Sequence, residues 1–280
     1  MKFRTLDIIH AQGITAAFIG KFLKKIFRKK LIVNIHSVYD QKILSSVQVR
    51  FVSWILNGAD HVFVLSKAIW AQHVNYFKIL PERISRFRYW LDLSIFHPIA
   101  SGQKPIASWQ GKFVVLFVGR LLSIKGVDLL FEMVEKLPSD IYIAMVGEGS
   151  RRAELEHKSK AFSQVMFVGP VRNQDLPAYL WSADLLIMPS LYKEGYGRVN
   201  MEAQACGLPI LASNRGGIGE VVQEGGILVE PTVQNFIEKV LELKNNPQKL
   251  ADLRQKAIRF AEANFSEKNI EVFENYYNQL

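Results

Sequence analysis

Short apolar runs alternate with longer amphipathic ones along most of this chain. Residues 6–10, 31–36 and 59–65 are apolar enough to read as buried strands, and residues 11–30, 39–57 and 67–77 carry helical spacing. From residue 113 the alternation resumes. Residues 113–119, 141–146, 165–168, 184–188 and 209–213 are strand-like, residues 175–181 and 199–206 helical, and residues 232–262 read as helices. Continuously apolar strands are what a parallel sheet covered on both faces requires, and strand–helix alternation argues for an α/β architecture. Residues 99–110, with Gly102, Pro105 and polar neighbours, break the pattern and read as a linker. Residues 269–280 form a last helix with Ser266 as its N-cap.

The chemistry concentrates between Pro189 and Ala203. An apolar strand enters this stretch and a helix leaves it, stopped by Gly207 and Pro209. In a parallel sheet such a loop lies at the carboxyl end of its strand, where open α/β sheets bind ligands. Gly195 and Gly197 let backbone approach a ligand closely. The free N–H groups opening the helix favour an anion such as phosphate. Glu194 and Glu202, seven residues between them, are acceptors for hydroxyls. Phosphate donors flanked by hydroxyl acceptors suit a nucleotide sugar. A second stretch, Gly119-Arg120 followed by Lys125-Gly126, puts two cations at the end of another strand. Arg grips a phosphate with paired hydrogen bonds and Lys adds a point charge. No G-K-[ST] closes this stretch, so it is not a P-loop. Gly147-Glu148-Gly149 starts like a dinucleotide fingerprint, but Arg152 stands where the third glycine belongs, which removes that function.

Composition narrows the picture. The 280 residues suffice for two ordinary domains, and 49% hydrophobic content allows real cores. No apolar run approaches the length of a membrane-spanning helix, and the start lacks a signal-peptide core. The single cysteine, Cys206, cannot form an internal disulfide and suits a reducing cytoplasm; it reads as a small buried helix residue. A net charge of +9 favours anionic partners. Zinc-finger spacing and RNA-binding aromatic strands are missing, so nucleic acid is not an expected partner. Residues 21–30 hold six cations interleaved with Phe22, Leu23, Ile26 and Phe27. Such a stretch is either a solvated face over a core-facing stripe or a contact for an anionic membrane surface. No metal-ligand cluster is visible, and no cofactor or metal is expected.

Embedded as E-G-Y-G-x4-E-A-x-A-C-G-x-P, the stretch from Glu194 to Pro209 resembles the signature of the retaining glycosyltransferase family 4, with its GT-B fold. Gly119-Arg120 to Lys125-Gly126 is similar to that family's G-R-x4-K-G motif. Asp7 to Ala11 resembles its D-x-I-H-A-H strand end, with Gln12 where a second histidine often stands, and Ile35-His36-Ser37 another strand end. Arg88 to Pro98 matches the interlobe segment, with Tyr89-Trp90 replacing Asn-Gly. Gly216 to Glu220 and Gly225 to Val229 match further turns.

The resemblance implies two Rossmann-like parallel-sheet lobes: an acceptor-side lobe over 1–98, a linker over 99–111, a donor lobe over 112–264, and a terminal helix over 265–280 crossing back to the first. The first lobe opens at what resembles a middle strand, so it is expected to be incomplete: a fragment, a degenerate enzyme, or one half of a split enzyme whose partner chain supplies the rest. The implied activity is that of a hexosyl- or glycosyltransferase of cell-envelope polysaccharide synthesis. It would move a sugar with retention from a nucleotide-sugar donor to a glycan or lipid-linked acceptor, in the cytoplasm or peripherally on the inner face of the membrane. The alternative is a non-catalytic or split-enzyme donor lobe. By the same resemblance Arg120 and Lys125 hold the donor diphosphate and stabilise the leaving group, Glu202 takes ribose hydroxyls and Glu194 sugar hydroxyls. Gly195, Tyr196 and Gly197 line the sugar or phosphate, Val171 borders the nucleobase, and His36 faces the reacting sugar. Ser66 reads as a helix cap, and Phe273, Tyr276 and Tyr277 as packing residues.

Overall fold

A computed structural model of the chain describes residues 7–39, 44–99 and 103–279. The expected strand start at Leu6, residues 40–43 of the expected second helix, residues 100–102 of the linker and Leu280 lie outside the described residues. Two compact units are formed. The first comprises Met1–Trp90, Lys193–Tyr196 and Glu267–Leu280, the second Leu91–Tyr192 and Gly197–Ser266.

The first unit holds four parallel strands in the order β1 (Ile8–Gln12), β2 (Lys30–Ile35), β3 (His61–Val64) and β4 (Ile84–Arg86). Between the first three run α1 (Gly13–Phe27) and α2 (Ser46–Leu56), and after β3 comes α3 (Lys67–Asn75). All four residues of β3 and five of six in β2 are buried, as continuous apolar runs require. The helices are shorter than their periodicity suggests, and caps are the reason. Arg28 adopts the left-handed conformation (φ 51°) and ends α1, so Lys30 already pairs in β2. Ser45 and Gln48 form a reciprocal capping box that starts α2 later than residue 39. Ser66 caps α3, its hydroxyl accepting from the Ile69 N–H at 3.2 Å. Strand β4 was not anticipated, because three residues carry no readable period.

His73, on the inner face of α3, is fully buried. It makes a 2.8 Å hydrogen bond from Nδ1 to the Ile69 carbonyl, while Nε2 has no partner among the described residues. Burial pulls this imidazole down to about 4 from an ordinary 6.5. The unfolded chain therefore takes up a proton near pH 6.5 that the folded chain refuses. Stability present above that value is lost as the pH falls toward 4. By about pH 5 the loss is roughly 2 kcal/mol. Urea unfolding of the protein and of His73→Gln at neutral and acid pH will show the difference in slope; parallel slopes would remove His73 as the cause.

The second unit alternates strands and helices up to its last strand and closes on two helices. In chain order they are β5 (Phe113–Val118), α4 (Val127–Val134), β6 (Ile141–Val146), α5 (Arg152–Ser159) and β7 (Val165–Gly169). There follow α6 (Leu176–Ser182), β8 (Leu185–Met188), α7 (Arg198–Ala205), β9 (Ile210–Ser213), α8 (Ile218–Val222), β10 (Gly226–Val229), α9 (Val233–Lys244) and α10 (Pro247–Asn264). The six strands are parallel, in the order β10-β9-β8-β5-β6-β7. The chain builds outward from β5 to β7, then returns to place β8 on the other side of β5. That reversal is a topological switch point, where doubly wound sheets open a crevice for ligands. Leu116, Ile141, Leu155, Leu185, Leu211 and Phe236 are among the fully buried residues around this sheet. Asp184 ties its lower edge, accepting from the Val114 N–H at 2.8 Å and from Lys104 at 2.7 Å.

The terminal segment belongs to the first unit. The helix expected behind Ser266 instead opens as a 3-10 turn (Glu267–Ile270), and α11 (Glu271–Tyr277) has Ile270 at its N-cap without a side-chain cap. Phe273 is buried against Phe63, Phe87 and Trp90, and the half-buried Tyr276 packs on His61 and Phe63, so the stripe does pack. Among the described residues no helix is long and apolar enough to cross a membrane.

Candidate functional site

In the second unit, the loops leaving β5 and β8 meet at the switch point. The Leu191 N–H donates to the Ile124 carbonyl at 2.9 Å. Lys125 Nζ donates to the Tyr192 hydroxyl at 2.8 Å and lies 4.9 Å from the centre of its ring. Gly126 makes this approach possible. Its φ is +76°, and a Cβ there would stand 2.0 Å from the Pro189 carbonyl oxygen. Arg120 is exposed at the end of β5, and Lys125 is half-buried five residues on. The two cations thus stand at the carboxyl edge of the sheet, beside the loop that leads to α7.

Glu202 lies within α7 and is 4% exposed. Its carboxylate accepts from Asn173 Nδ2 at 3.0 Å and pairs with Arg198 Nε at 3.0 Å. Burial raises its proton affinity above the ordinary carboxylate range, and the hydrogen bond from Asn173 and the charge of Arg198 pull it back. A carboxylate held this way has acceptor capacity left for hydroxyls. Val171 is half-buried two residues before Asn173, so the loop after β7 carries both. Asn173 had no sequence signal, because its partner lies 29 residues away. Arg172 is exposed and paired with Asp175 at 2.6 Å, which makes it a surface charge. Cys206 is buried, and desolvation followed by the nearby Glu202 raises its thiol, so it is no nucleophile. Among the described residues no group of three His, Cys, Asp or Glu could hold a metal ion.

His36, Glu194, Gly195 and Tyr196 belong to the first unit. His36 directly follows β2 and is half-buried. Burial, and after it the charge of His10, lower its proton affinity. Its partners fit the neutral ring. Gln12 Oε1 stands 2.8 Å from Nε2, and the Tyr89 hydroxyl 2.6 Å from Nδ1, with the Tyr89 ring stacked at 5.5 Å. The amide oxygen accepts from Nε2–H, and Nδ1 accepts from the phenol. Gln12 and Tyr89, both departures from the resembled pattern, are therefore the residues that orient His36. Gly195 packs so closely that a Cβ would lie 1.8 Å from the His36 carbonyl oxygen. Tyr196 is buried edge-on to Tyr89 at 6.4 Å, and Glu194 is 5% exposed.

Comparison with known proteins shows the family and the fold. A family model described as Glycosyl transferases group 1 matches residues 103–260, and one described as Glycosyltransferase Family 4 matches residues 1–94. Spore coat protein SA of Bacillus subtilis (strain 168) is 30% identical over 200 residues, spanning 62% of this chain and 53% of that protein. The chain thus covers about half the length of this relative. The uncharacterized glycosyltransferase MJ1178 of Methanocaldococcus jannaschii is 25% identical over 98% of this chain and 76% of its own. Among solved structures, Anabaena Alr3699/HepE in complex with UDP superposes with a TM-score of 0.90 at 22% identity, covering 99% of this chain and 80% of that one. Likeness at that identity establishes the fold alone: two parallel-sheet α/β lobes of the GT-B kind.

Proposed function

The chain belongs to the group 1 glycosyl transferases, and on that premise we propose that it moves a glycosyl group from a nucleotide-sugar donor to an acceptor, with retention at the anomeric carbon. One observation supports this most: the buried, amide-held Glu202 shares a sheet edge with Arg120 and Lys125. Hydroxyl acceptor and phosphate donors at one edge match a ligand carrying both groups. Alr3699/HepE was solved with UDP and with UDP-glucose, so a uridine nucleotide is the first donor to try.

Arg120 and Lys125 neutralise the diphosphate as the sugar departs. Glu202 accepts from the ribose hydroxyls, and Val171 borders the base. Gly195, Tyr196 and Gly197 present backbone to the sugar and phosphate, Glu194 accepts sugar hydroxyls, and a neutral His36 acts on the reacting sugar. No metal or cofactor enters this scheme. The acceptor is a glycan or a lipid-linked saccharide, and residues 21–30 bring the protein to the anionic membrane surface where the latter resides.

Calorimetric titration of the purified chain with nucleoside diphosphates and their sugars tests the donor assignment. Saturable binding of one nucleotide is expected. Glu202→Gln should weaken it about 5- to 15-fold, the difference between a charged and a neutral acceptor. The same variant should leave a 2′,3′-dideoxy nucleotide unaffected. An equal loss for both ligands would take Glu202 away from the ribose. The anomeric configuration of any transferred sugar, read by NMR, decides retention.

A further inference from the structure

We propose that α1 and α2 together form a docking face for an anionic bilayer, with a hollow beside the end of α1 that receives a lipid headgroup phosphate. This deepens the membrane part of the function proposed above and is independent of the transfer chemistry. Eleven large apolar side chains stand exposed among the described residues, and six of them are on these two helices. Ile19, Phe22 and Ile26 follow helical spacing along α1, and Val47, Phe51 and Trp54 along α2. The two stripes are one surface. Phe18 lies 5.5 Å from Phe51, Phe22 lies 6.4 Å from Trp54, and Phe51 stacks on Trp54 at 6.0 Å. Ile26 is 69% exposed and Val47 74%, which leaves burial in this fold without a role for either.

Charge decides the occupant. A hollow of about 680 Å³ opens beside this face, walled by Phe22, Trp54 and Gly58. Lys21, Lys24, Lys25, Arg28, Lys29 and Lys30 line it, against the one carboxylate of Asp60 among its described lining residues. Lys24 spends its charge on Asp60 at 2.7 Å, and Lys21 sits over the Trp54 ring at 3.4 Å. Lys25, Arg28 and Lys30 are exposed. A polybasic rim beside an apolar, tryptophan-bearing stripe matches the two signals that hold a protein on an anionic membrane. A nucleic acid would use the cations and leave the aliphatic stripe idle.

Sedimentation of the full chain with phosphatidylcholine vesicles, alone or with about one-third phosphatidylglycerol, reads this directly at roughly 0.1 M salt, where screening is moderate. Binding to the phosphatidylglycerol vesicles is expected, and much less to the neutral ones. Lys25→Gln, Arg28→Gln and Lys29→Gln combined should weaken it about 100-fold, near fivefold per cation. Ile26→Ser with Phe51→Ser should weaken it at least about tenfold, through lost apolar contact. Nucleotide titration of both variants keeps a failure of docking separate from a failure of the donor site. Equal binding to both vesicle types overturns the proposal, as does release by millimolar inorganic phosphate. Vesicle binding untouched in the serine variant also overturns it, and an oligonucleotide retained through the three cations would then be the partner. The unaltered chain decides between the vesicle types even where a variant folds poorly.

Discussion

Replacing Arg120 by alanine is expected to weaken nucleoside diphosphate binding by about 1.5–3 kcal/mol, roughly 10- to 150-fold. The arginine is exposed at the end of β5, at the switch point of the six-stranded sheet. A guanidinium there can offer two parallel N–H donors to a phosphate, where an ammonium offers a point charge. Arg120→Lys should therefore recover only part of the loss. Arg172→Ala is the control, because that exposed arginine is paired with Asp175. It should bind like the unaltered protein. Titration calorimetry at fixed ionic strength measures all three, and an Arg120→Ala affinity equal to that of the control would sink the assignment.

Gly126→Ala is expected to destabilise the second unit by about 2–5 kcal/mol, from left-handed backbone strain of about 1–2 kcal/mol and overpacking of about 1–3 kcal/mol. The added methyl would meet the Pro189 carbonyl at 2.0 Å, and backbone on both sides leaves no flexible atom to yield. For a domain of this size the melting temperature should fall by roughly 5–15 °C. Gly111→Ala separates the two causes. Its φ is +72°, close to that of Gly126, yet nothing lies within 4 Å of its Cβ position. It should lose only the backbone strain. The collision at Gly126 also pushes the β5 loop from the β8 loop, so Lys125 and Tyr192 separate and nucleotide affinity falls with stability. Equal melting temperatures for the two variants would show that the loops are free to move apart.

Much of this protein was legible before folding, wherever the determinant is local. Apolar runs four to seven residues long specify buried strands, and the nine expected site positions sit in two short stretches and after two strands, at His36, Arg120, Lys125, Val171, Glu194, Gly195, Tyr196, Gly197 and Glu202. The Arg120–Lys125 spacing needs only the one turn between β5 and α4, and Glu202 falls inside the helix read from residue 199. Helix ends were less legible, since Arg28 in a left-handed conformation and the Ser45 capping box act over three or four residues against a longer periodicity.

Only the tertiary structure decided what stands beside what. Nothing local says that β8 returns to the side of β5, yet that choice brings Leu191 to Ile124 and Tyr192 to Lys125. The contact of Asn173 with Glu202 crosses 29 residues, and that of Tyr89 with His36 crosses 53. Burial, which raises the proton affinity of Glu202 and lowers that of His36, exists only once those distances are closed. The apolar stripes of α1 and α2 are separate periodic patterns in the chain and a single surface in the fold. Period and turn chemistry are encoded by neighbours a few residues apart, whereas desolvation and long-range pairing are properties of the packed chain alone.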